Sequence, residues 1–511
     1  MNENTEEQEP LALSGIGRYV PLAVYAIAVS VVLLIPFKII SYGYMPYDDA
    51  LRHAAKAVSG KPWSDILVLD SWYTVDHNFG WHLFLRQIHL GLNLDADWLV
   101  VFSIVFLFLI LGLSALPWLR RPEAWLASLL LIGLFATPER VLFGRPYILT
   151  MSTLVSVLLL WNKRISKPPT WQTIVGMSLM VAMAMFVHGT WYLWALPIAA
   201  FFLARQYRWG LAVGISCLVG TLLAAVLTGH PVDYITEAVQ LAFKSLGQHQ
   251  IANTLAKELR PGSINPFVLV MLVVLIIARK LTKINTLPII QNPAFWLVCL
   301  GMLLGLKVMR FWFDWGLPAL MVLLACDLQL ILQKYLAASS VKRVFVAGLL
   351  AGATFLTFTS NSSGRWTLNF SSNSSGRWTL NVTPQDQYLI QNKPELDGWL
   401  PEKGGVFYTA DMSMFYKTFL KNPSADWRYI VGFEPTIMPP DDFKTFRQIL
   451  TTYEWEDYKP WVEKMKSEDR LFIPGPNNDA PQIPRLEWKH LGVSGIWAGR
   501  LWRTNAPSVA P

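Results

Sequence analysis

The chain has 511 residues, of which 53% are hydrophobic and only 15% are charged. At this length, that composition is typical of a polytopic membrane protein and argues against a set of soluble domains. The net charge of +8 does not indicate a nucleic-acid partner, because much of the Lys and Arg lies in short loops between apolar segments. All three cysteines fall in apolar segments, so a disulfide framework is not expected.

Residues 1–18 form an acidic leader, which we expect to lie in the cytoplasm. About eleven apolar windows follow and define a predicted membrane domain at 19–358, since a helix of about 20 apolar residues crosses the hydrocarbon core. The first window is too long for a signal-peptide core and is interpreted as an uncleaved span. The windows lie at 19–40, 98–119, 123–138, 146–162, 171–187, 190–204, 209–228, 266–281, 294–309, 316–333 and 343–358.

The basic residues of the short loops predict the orientation of these spans. Most of them fall in alternate loops, which places the N-terminus and those loops in the cytoplasm. The short outside loops contain few cations, which are Arg140, Arg145, Lys307 and Arg310. Charges at this rim of the membrane are functional candidates. We therefore expect a multi-pass protein of the inner, cytoplasmic membrane, embedded in the lipid bilayer, with its functional site on the outside face.

Two outside loops, 41–97 and 229–266, are longer than connections usually are, which suggests a function. The first predicts interfacial helices near 49–59 and 79–92, and the second contains an amphipathic stretch. Residues 359–382 contain a ten-residue sequence twice and are interpreted as a linker or hairpin. From 383 to 511, β-like runs alternate with helical patterns, which predicts a soluble extracytoplasmic α/β domain.

An acidic pair, Asp48-Asp49, stands directly after the first span and is followed by Arg52 and His53. Charges at the mouth of an apolar helix are unfavourable unless they bind or transform a ligand. Such a carboxylate suits a catalytic base that deprotonates or orients a hydroxyl group. The alternative is a helix N-terminus in which Asp48 is the cap and Asp49 lies in the first turn.

A second polar cluster follows in the same loop and comprises His53, Asp70, Asp76 and His77. It is a candidate for the acceptor side of the site. With Asp48 and Asp49, or with His82, it is also a candidate site for a divalent cation such as Mg²⁺ or Mn²⁺. No tight ligand spacing requires a metal, and hydrogen bonding within the loop is the ordinary alternative.

An enzyme working on the outside of the membrane has no supply of nucleotide sugars, so its donor must be activated and lipid-linked. Polyprenyl-phosphate sugars meet this requirement, and cations would stabilise the departing phosphate. The candidate phosphate-binding residues, all on the predicted outside face, are Arg52, Arg145, His188, Lys307 and Arg310. The cations could instead reach toward lipid headgroups, and His188 could make a simple contact between helices.

This arrangement resembles the GT-C class of polyprenyl-phosphate-sugar-dependent membrane glycosyltransferases. The likeness, to bacterial members of unknown specificity, rests on the many spans, on a C-terminal outside domain, and on a series of residues: Asp48-Asp49 after the first span, then Arg52-His53, Asp70, Asp76-His77, Arg145-Pro146, His188-Gly189 and Arg310. It implies a GT-C-like fold, a first-loop Asp as base and inversion at the anomeric carbon by direct displacement of the lipid phosphate.

The acceptor of such a reaction would be a hydroxyl group on a glycan, a protein or a lipid. The chain lacks the Trp-Trp-Asp motif of oligosaccharyltransferases, so a monosaccharide donor is expected. A secondary transporter or channel for a polar solute is the main competing class, although transporters usually carry inverted repeats and polar groups near mid-membrane. A structural assembly subunit is a third interpretation, in which the first-loop acids would tolerate substitution.

Overall fold

The computed structural model describes residues 15–46, 48–135, 139–246, 261–262, 266–283, 287–360, 388–475, 479–491 and 495–502. Most of the predicted leader and almost all of the predicted linker at 359–382 lie outside the described residues. The second half of the amphipathic stretch predicted in the long loop at 229–266 lies outside them as well.

The described residues before 361 are mostly helical, as the long apolar windows predict. A chain inside lipid must satisfy its own backbone hydrogen bonds, and the helix does so within one segment. The helices are α1 (Val20–Ile40), α2 (Asp49–Ser59), α3 (Phe79–Leu92), α4 (Ala96–Ser114), α5 (Pro122–Phe135), α6 (Glu139–Leu142), α7 (Tyr147–Lys163), α8 (Trp171–Val187), α9 (Ala195–Leu203), α10 (Tyr207–Leu227), α11 (Pro231–Leu246), α12 (Pro266–Thr282), α13 (Pro293–Gly305), α14 (Met309–Phe311), α15 (Leu317–Tyr335) and α16 (Lys342–Thr359).

Membrane character follows from the length and composition of these helices, but the predicted count of about eleven spans does not. Within the described residues, five helices are long and apolar enough to cross a membrane: Gly17–Ile40, Ala96–Ser114, Tyr207–Leu227, Met309–Tyr335 and Lys342–Thr359. Other predicted windows carry apolar helices of 10–17 residues. At 1.5 Å per residue, 17 residues reach only about 25 Å, which is less than the hydrocarbon core of about 30 Å.

The long apolar helices expose apolar side chains on their outer faces. In α10, Leu218 and Val226 are 62% and 65% exposed, whereas Ala224 and Ala225 are fully buried against neighbouring helices. A soluble bundle would place its apolar side chains inside and polar ones outside. Exposed apolar side chains on the outer face are instead expected for helices that contact lipid.

Buried ion pairs lie within the helical part. Arg343 at the start of α16 donates two hydrogen bonds, of 2.8 and 3.2 Å, to the carboxylate of Glu123 at the start of α5. Both side chains are at most 2% exposed. Arg279 of α12 makes a similar two-bond pair with Asp327 of α15, at 2.5 and 2.7 Å. These pairs satisfy charges that could not remain alone in an apolar interior.

The C-terminal part combines a five-stranded sheet with helices, as its alternating pattern predicts. The elements are β1 (Val406–Tyr408), α17 (Met412–Lys421), β2 (Arg428–Tyr429), α18 (Pro440–Thr452), α19 (Lys459–Lys464), β3 (Arg470–Pro474), β4 (Leu486–Leu491) and β5 (Ile496–Leu501). The strand order is β2-β1-β3-β5-β4, with β1 parallel to β2 and β3, and β5 antiparallel to β3 and β4.

Residues 66–70 of the first long loop attach this domain to the membrane part. Tyr429 of β2 donates a backbone hydrogen bond to Ile66 at 2.8 Å and accepts one from Val68 at 3.0 Å. The backbone N–H of Asp70 then bonds to the carbonyl of Ile437 at 2.8 Å. The loop therefore continues the sheet beyond β2, and the C-terminal domain is held against the residues that follow the acidic pair.

Candidate functional site

A cavity of about 200 Å³ lies where the first long loop, the starts of α7 and α14, the end of α8, α11 and the C-terminal domain meet. Its charged lining comprises four arginines and two carboxylates, which are Arg52, Arg140, Arg145, Arg310, Asp49 and Glu434. Three histidines also line it, which are His53, His77 and His188. Residues far apart in the sequence thus share one strongly polar cavity.

The two aspartates of the acidic pair have different positions. Asp48 precedes α2, but its side chain does not cap the helix. It is buried and accepts a hydrogen bond from Nη2 of Arg145 at 2.5 Å. Asp49, in the first turn of α2, lines the cavity. The capping alternative for Asp48 is therefore wrong, and Asp49 is the carboxylate that a ligand in the cavity can contact.

Asp49 stands between two guanidinium groups. Nε of Arg52 lies 2.8 Å from one carboxylate oxygen, which fits two residues three positions apart on a helix, and Nε of Arg145 lies 3.8 Å from the other. Burial acts to raise the pKa of Asp49, but the charges of Arg52 and Arg145 outweigh burial and hold that pKa below its usual range. Asp49 is therefore ionised at neutral pH.

On the far side of the cavity, Asp314 holds two arginines together. It accepts a hydrogen bond of 2.8 Å from Nη2 of Arg140 and another of 2.8 Å from Nε of Arg310. Asp314 lies in a π-helical turn, Trp312–Gly316, between α14 and α15. Such turns often occur at functional sites. Gly301 of α13 permits the close packing of this turn, because a Cβ there would lie 2.6 Å from the Cα of Gly316.

His188 connects this group to the end of α8. Its Nε2 lies 2.9 Å from Nη2 of Arg310, and its Nδ1 lies 3.1 Å from Oγ1 of Thr190. A guanidinium group can only donate, so Nε2 accepts and the proton resides on Nδ1, which donates to Thr190. His188 is therefore a neutral ring that orients Arg310, as well as part of the cavity wall.

Two residues of the polar cluster predicted in the first loop, His53 and Asp76, are joined through His82 by a chain of hydrogen bonds. Nδ1 of His82 lies 2.6 Å from the carboxylate of Asp76, and Nε2 of His82 lies 2.8 Å from Nδ1 of His53. Burial acts to raise the pKa of Asp76, but His82 outweighs it and lowers that pKa below its usual range. The ionised carboxylate accepts from His82, which in turn accepts from His53. Nε2 of His53, the ring that lines the cavity, is thereby left without a proton.

His77 also lines the cavity and is held by the backbone around it. Its carbonyl accepts a hydrogen bond from the N–H of Gly189 at 2.9 Å, which joins the first loop to the end of α8. Burial lowers the pKa of its imidazole to about 4. Within the described residues, neither ring nitrogen of His77 makes a hydrogen bond. The ring is therefore neutral and presents polar atoms that a ligand could satisfy.

Four of the predicted site residues do not line the cavity: Asp48 and Asp76, which bind Arg145 and His82, and also Asp70 and Lys307. Asp70 accepts a hydrogen bond from the N–H of Ser71 at 2.7 Å, so its carboxylate stabilises a turn. Lys307 follows the end of α13 and is exposed. The side chains of Asp70 and Lys307 therefore lie outside the cavity, because nearness in the sequence to residues of the site does not set the direction of a side chain.

The residues present do not fit the divalent cation that the acidic pair suggested. Asp48 and Asp49 both face guanidinium groups, which supply the positive charge that a metal would otherwise supply. In the part of the chain that the structure describes, no three His, Cys, Asp or Glu side chains are arranged to hold a metal.

The C-terminal domain adds side chains that the sequence did not point to. Oη of Tyr416 lies 3.4 Å from a carboxylate oxygen of Asp49, and the ring of Phe433 lies 4.0 Å from the guanidinium carbon of Arg52. Glu434 follows in the cavity wall, and burial raises its pKa to about 7. No motif marks these residues. Asp314 was a detectable candidate, since an acid among aromatic residues in an apolar segment is unusual.

One side of the cavity is apolar. Its residues come from the 3-10 turn before α9, from α11 and from the segment around α14, and are Leu193, Ala238, Leu241, Ala242, Val308 and Phe311. Helix α11 is attached to the first loop through Glu237, whose carboxylate accepts hydrogen bonds from the backbone of Thr74 and Val75, each at 3.0 Å. On its outer face, Val232 and Phe243 are 69% and 75% exposed. One side of the cavity is therefore charged, and the other side is apolar.

No model of a protein family matches this chain, and no curated protein matches it at a significant level.

Proposed function

We propose that this protein is an integral membrane glycosyltransferase of the GT-C type. It would move a sugar, in our proposal a monosaccharide, from a polyprenyl-phosphate donor to an acceptor hydroxyl group on the extracytoplasmic side. The proposal rests above all on one observation: four arginines and the ionised Asp49 line a single cavity that also has an apolar wall. A lipid-linked sugar donor and its acceptor need all three environments: cations for the phosphate, a carboxylate for the hydroxyl groups, and an apolar surface for the lipid chain.

The cationic side of the cavity suits the phosphate of the donor. Arg310 and Arg140 are fixed by Asp314, and Arg145 is fixed by Asp48, so their guanidinium groups are positioned before a ligand arrives. Preorganised donors stabilise developing charge without reorganisation at the moment of reaction. As the bond from the anomeric carbon to the phosphate oxygen breaks, its electron pair passes to the phosphate, whose added charge these arginines offset.

Asp49 supports the acceptor side of the proposal. Its carboxylate is ionised and lines the cavity, so it can accept the hydrogen bond of an incoming hydroxyl group, in the role of the first-loop base. The acceptor oxygen forms a bond to the anomeric carbon from the face opposite the phosphate, which inverts the configuration. Nε2 of His53 and the ring of His77 are available for the other hydroxyl groups of the sugar.

The apolar wall supports a lipid-linked donor. Helix α11 presents Ala238 and Leu241 to the cavity and exposes Phe243 on another face, as a helix at a membrane surface does. A polyprenyl chain could leave the cavity along this helix. We also propose that the helical part lies in the inner membrane, with the C-terminal domain outside.

The test is sugar transfer by the purified full-length protein from polyprenyl-phosphate glucose, mannose and galactose to alkyl glycosides. The release of polyprenyl phosphate is measured alongside the glycosylated product. Asp49→Asn should lower the rate at least about a hundredfold, because the carboxylate contacts the reacting hydroxyl group. Asp65→Asn is the matched control, since Asp65 is an exposed acid in the same loop. Full activity in Asp49→Asn would rule out this mechanism.

A further inference from the structure

Glu434 is carried into the cavity by a segment that is fixed at both ends. The segment begins at β2, where Tyr429 exchanges backbone hydrogen bonds with residues 66 and 68. It ends in a short 3-10 turn, Pro435–Ile437, where the carbonyl of Ile437 accepts from Asp70 at 2.8 Å. Between them, Gly432 packs so closely that a Cβ would lie 2.7 Å from a methyl group of Leu67. The position of Glu434 is therefore set by the fold.

The same segment touches the group that holds Asp49. Phe433, next to Glu434, lies under the guanidinium group of Arg52, and Arg52 donates to Asp49 at 2.8 Å. Tyr416, on α17, also reaches Asp49. The C-terminal domain thus approaches the acidic pair through three side chains, of which Glu434 is the one that can exchange a proton near neutral pH.

The surroundings of Glu434 differ from those of Asp49. Its carboxyl group accepts a hydrogen bond of 3.3 Å from Oγ1 of Thr436, and within the described residues it has no ion pair. Asp49, Arg310, Tyr73 and Tyr192 interact electrostatically with Glu434. The other charged and titratable groups that share its cavity include Arg52, Arg140, Arg145, His53, His77 and His188. None of these contacts fixes Glu434 in its ionised form, as Arg52 does for Asp49.

Because of these surroundings, the carboxyl groups of Glu434 and Asp49 have different pKa values. Burial raises the pKa of Glu434 to about 7, the Thr436 hydrogen bond works in the opposite direction, and the charge of Asp49 adds to the increase. The pKa of Asp49 lies below its usual range, so this carboxylate orients a hydroxyl group well but holds a proton poorly. Two acids whose environments separate their pKa values in this way commonly divide acid and base roles.

On the basis of the proposed glycosyl transfer, we propose that Glu434 is a further catalytic residue, which takes the proton of the acceptor hydroxyl group in place of Asp49, while Asp49 accepts the hydrogen bond that orients that group. The O–H bond of the acceptor breaks, and its proton passes to the Glu434 carboxylate. The acceptor oxygen bonds to the anomeric carbon, and the bond from that carbon to the phosphate oxygen breaks with its electron pair on the phosphate. Glu434 then returns the proton to water.

The experiment compares wild type, Glu434→Gln, Glu434→Asp and Glu395→Gln as full-length proteins, with the donor panel described above. Glu395 is an exposed acid of the same domain and serves as the matched control. For each protein, kcat and KM for the donor are measured from pH 5.5 to 9. The stabilisation of each protein by polyprenyl phosphate, followed by thermal unfolding, reports donor-site integrity without catalysis.

In wild type and in Glu395→Gln, kcat should rise through a pKa near 7 and then reach a plateau. In Glu434→Gln, kcat at pH 8 should fall about a hundredfold or more and lose this pH dependence, while KM and the stabilisation by polyprenyl phosphate stay unchanged. If Glu434→Gln does not fold, Glu434→Asp tests the inference instead. It keeps a carboxyl group but places it in different surroundings, so the pH at which kcat reaches half of its plateau should shift.

A Glu434→Gln protein with wild-type kcat and pH profile would overturn the inference and leave the proposed function intact. An unshifted profile in Glu434→Asp would do the same. Failure of wild type to turn over any donor would instead overturn the proposed function, and the role of Glu434 with it.

Discussion

Arg145 donates a hydrogen bond of 2.5 Å to Asp48, although 97 positions separate the two residues in the chain. The contact joins the start of α7 to the start of α2, and both side chains are nearly buried. It therefore ties one of the cations that line the cavity to the loop that carries Asp49. The two aspartates of the acidic pair have different positions: Asp48 holds Arg145, and Asp49 lines the cavity.

Asp48→Asn should destabilise the protein. The change removes the closer of the carboxylates beside Arg145 and leaves Asp49 at 3.8 Å, so the cost should be below the roughly 3–5 kcal/mol that follows the complete loss of a buried partner. Thermal unfolding of the purified protein should show a clearly lower midpoint than wild type. Asp65→Asn, in an exposed part of the same loop, should leave the midpoint unchanged. A wild-type midpoint in Asp48→Asn would show that the pair does not support the fold.

Arg310→Lys should weaken use of the donor. Lysine keeps the positive charge, but it cannot donate to Asp314 and His188 at once as the planar guanidinium group does. We expect kcat/KM for the donor to fall about tenfold to a hundredfold. Arg120→Lys, at an exposed position, is the control and should behave as wild type. Equal kcat/KM values in the two variants would exclude Arg310 from the phosphate site.

Removal of divalent cations should leave the activity unchanged. Arg52 and Arg145 already supply positive charge to Asp48 and Asp49, so a bound Mg²⁺ or Mn²⁺ would meet repulsion from these guanidinium groups. The measurement is the transfer rate before and after dialysis against a chelator, followed by addition of each metal. Loss of activity on chelation and recovery with Mg²⁺ or Mn²⁺ would contradict this expectation.

Acidification should destabilise the protein in part through His77. Burial lowers the pKa of this ring to about 4, whereas in the unfolded chain it would titrate near 6.5. Between those two values the unfolded state binds the proton and the folded state does not, so stability falls as the pH falls. The loss amounts to about 3 kcal/mol at pH 4.

Thermal unfolding between pH 7 and pH 4 tests this expectation for His77. His77→Asn should show a shallower decline in unfolding midpoint than wild type. His230→Asn is the control, because His230 is exposed and should leave the slope unchanged. A slope in His77→Asn as steep as that of wild type would assign the acid sensitivity to other groups.

Local pattern was sufficient for the helices and for contacts within one element. The apolar windows predicted helical segments, and alternating runs predicted the C-terminal sheet, because each depends on the periodicity of neighbouring residues. The pair of Asp49 and Arg52 also follows from spacing, since residues three apart share a helix face. The number of long spans did not follow, because hydropathy windows do not show where a helix ends.

The sequence alone determined that the chain is an apolar, helical protein with an acidic pair and a few cations at the ends of its helices. Only the tertiary structure decided which of these charges meet: it brings Arg140 into the cavity, leaves Asp70 and Lys307 outside it, and adds Asp314 and Glu434 to the group. The physical reason is that such contacts join elements far apart in the chain. These contacts depend on how the helices pack and on where the C-terminal domain docks. Local sequence patterns contain no information about either.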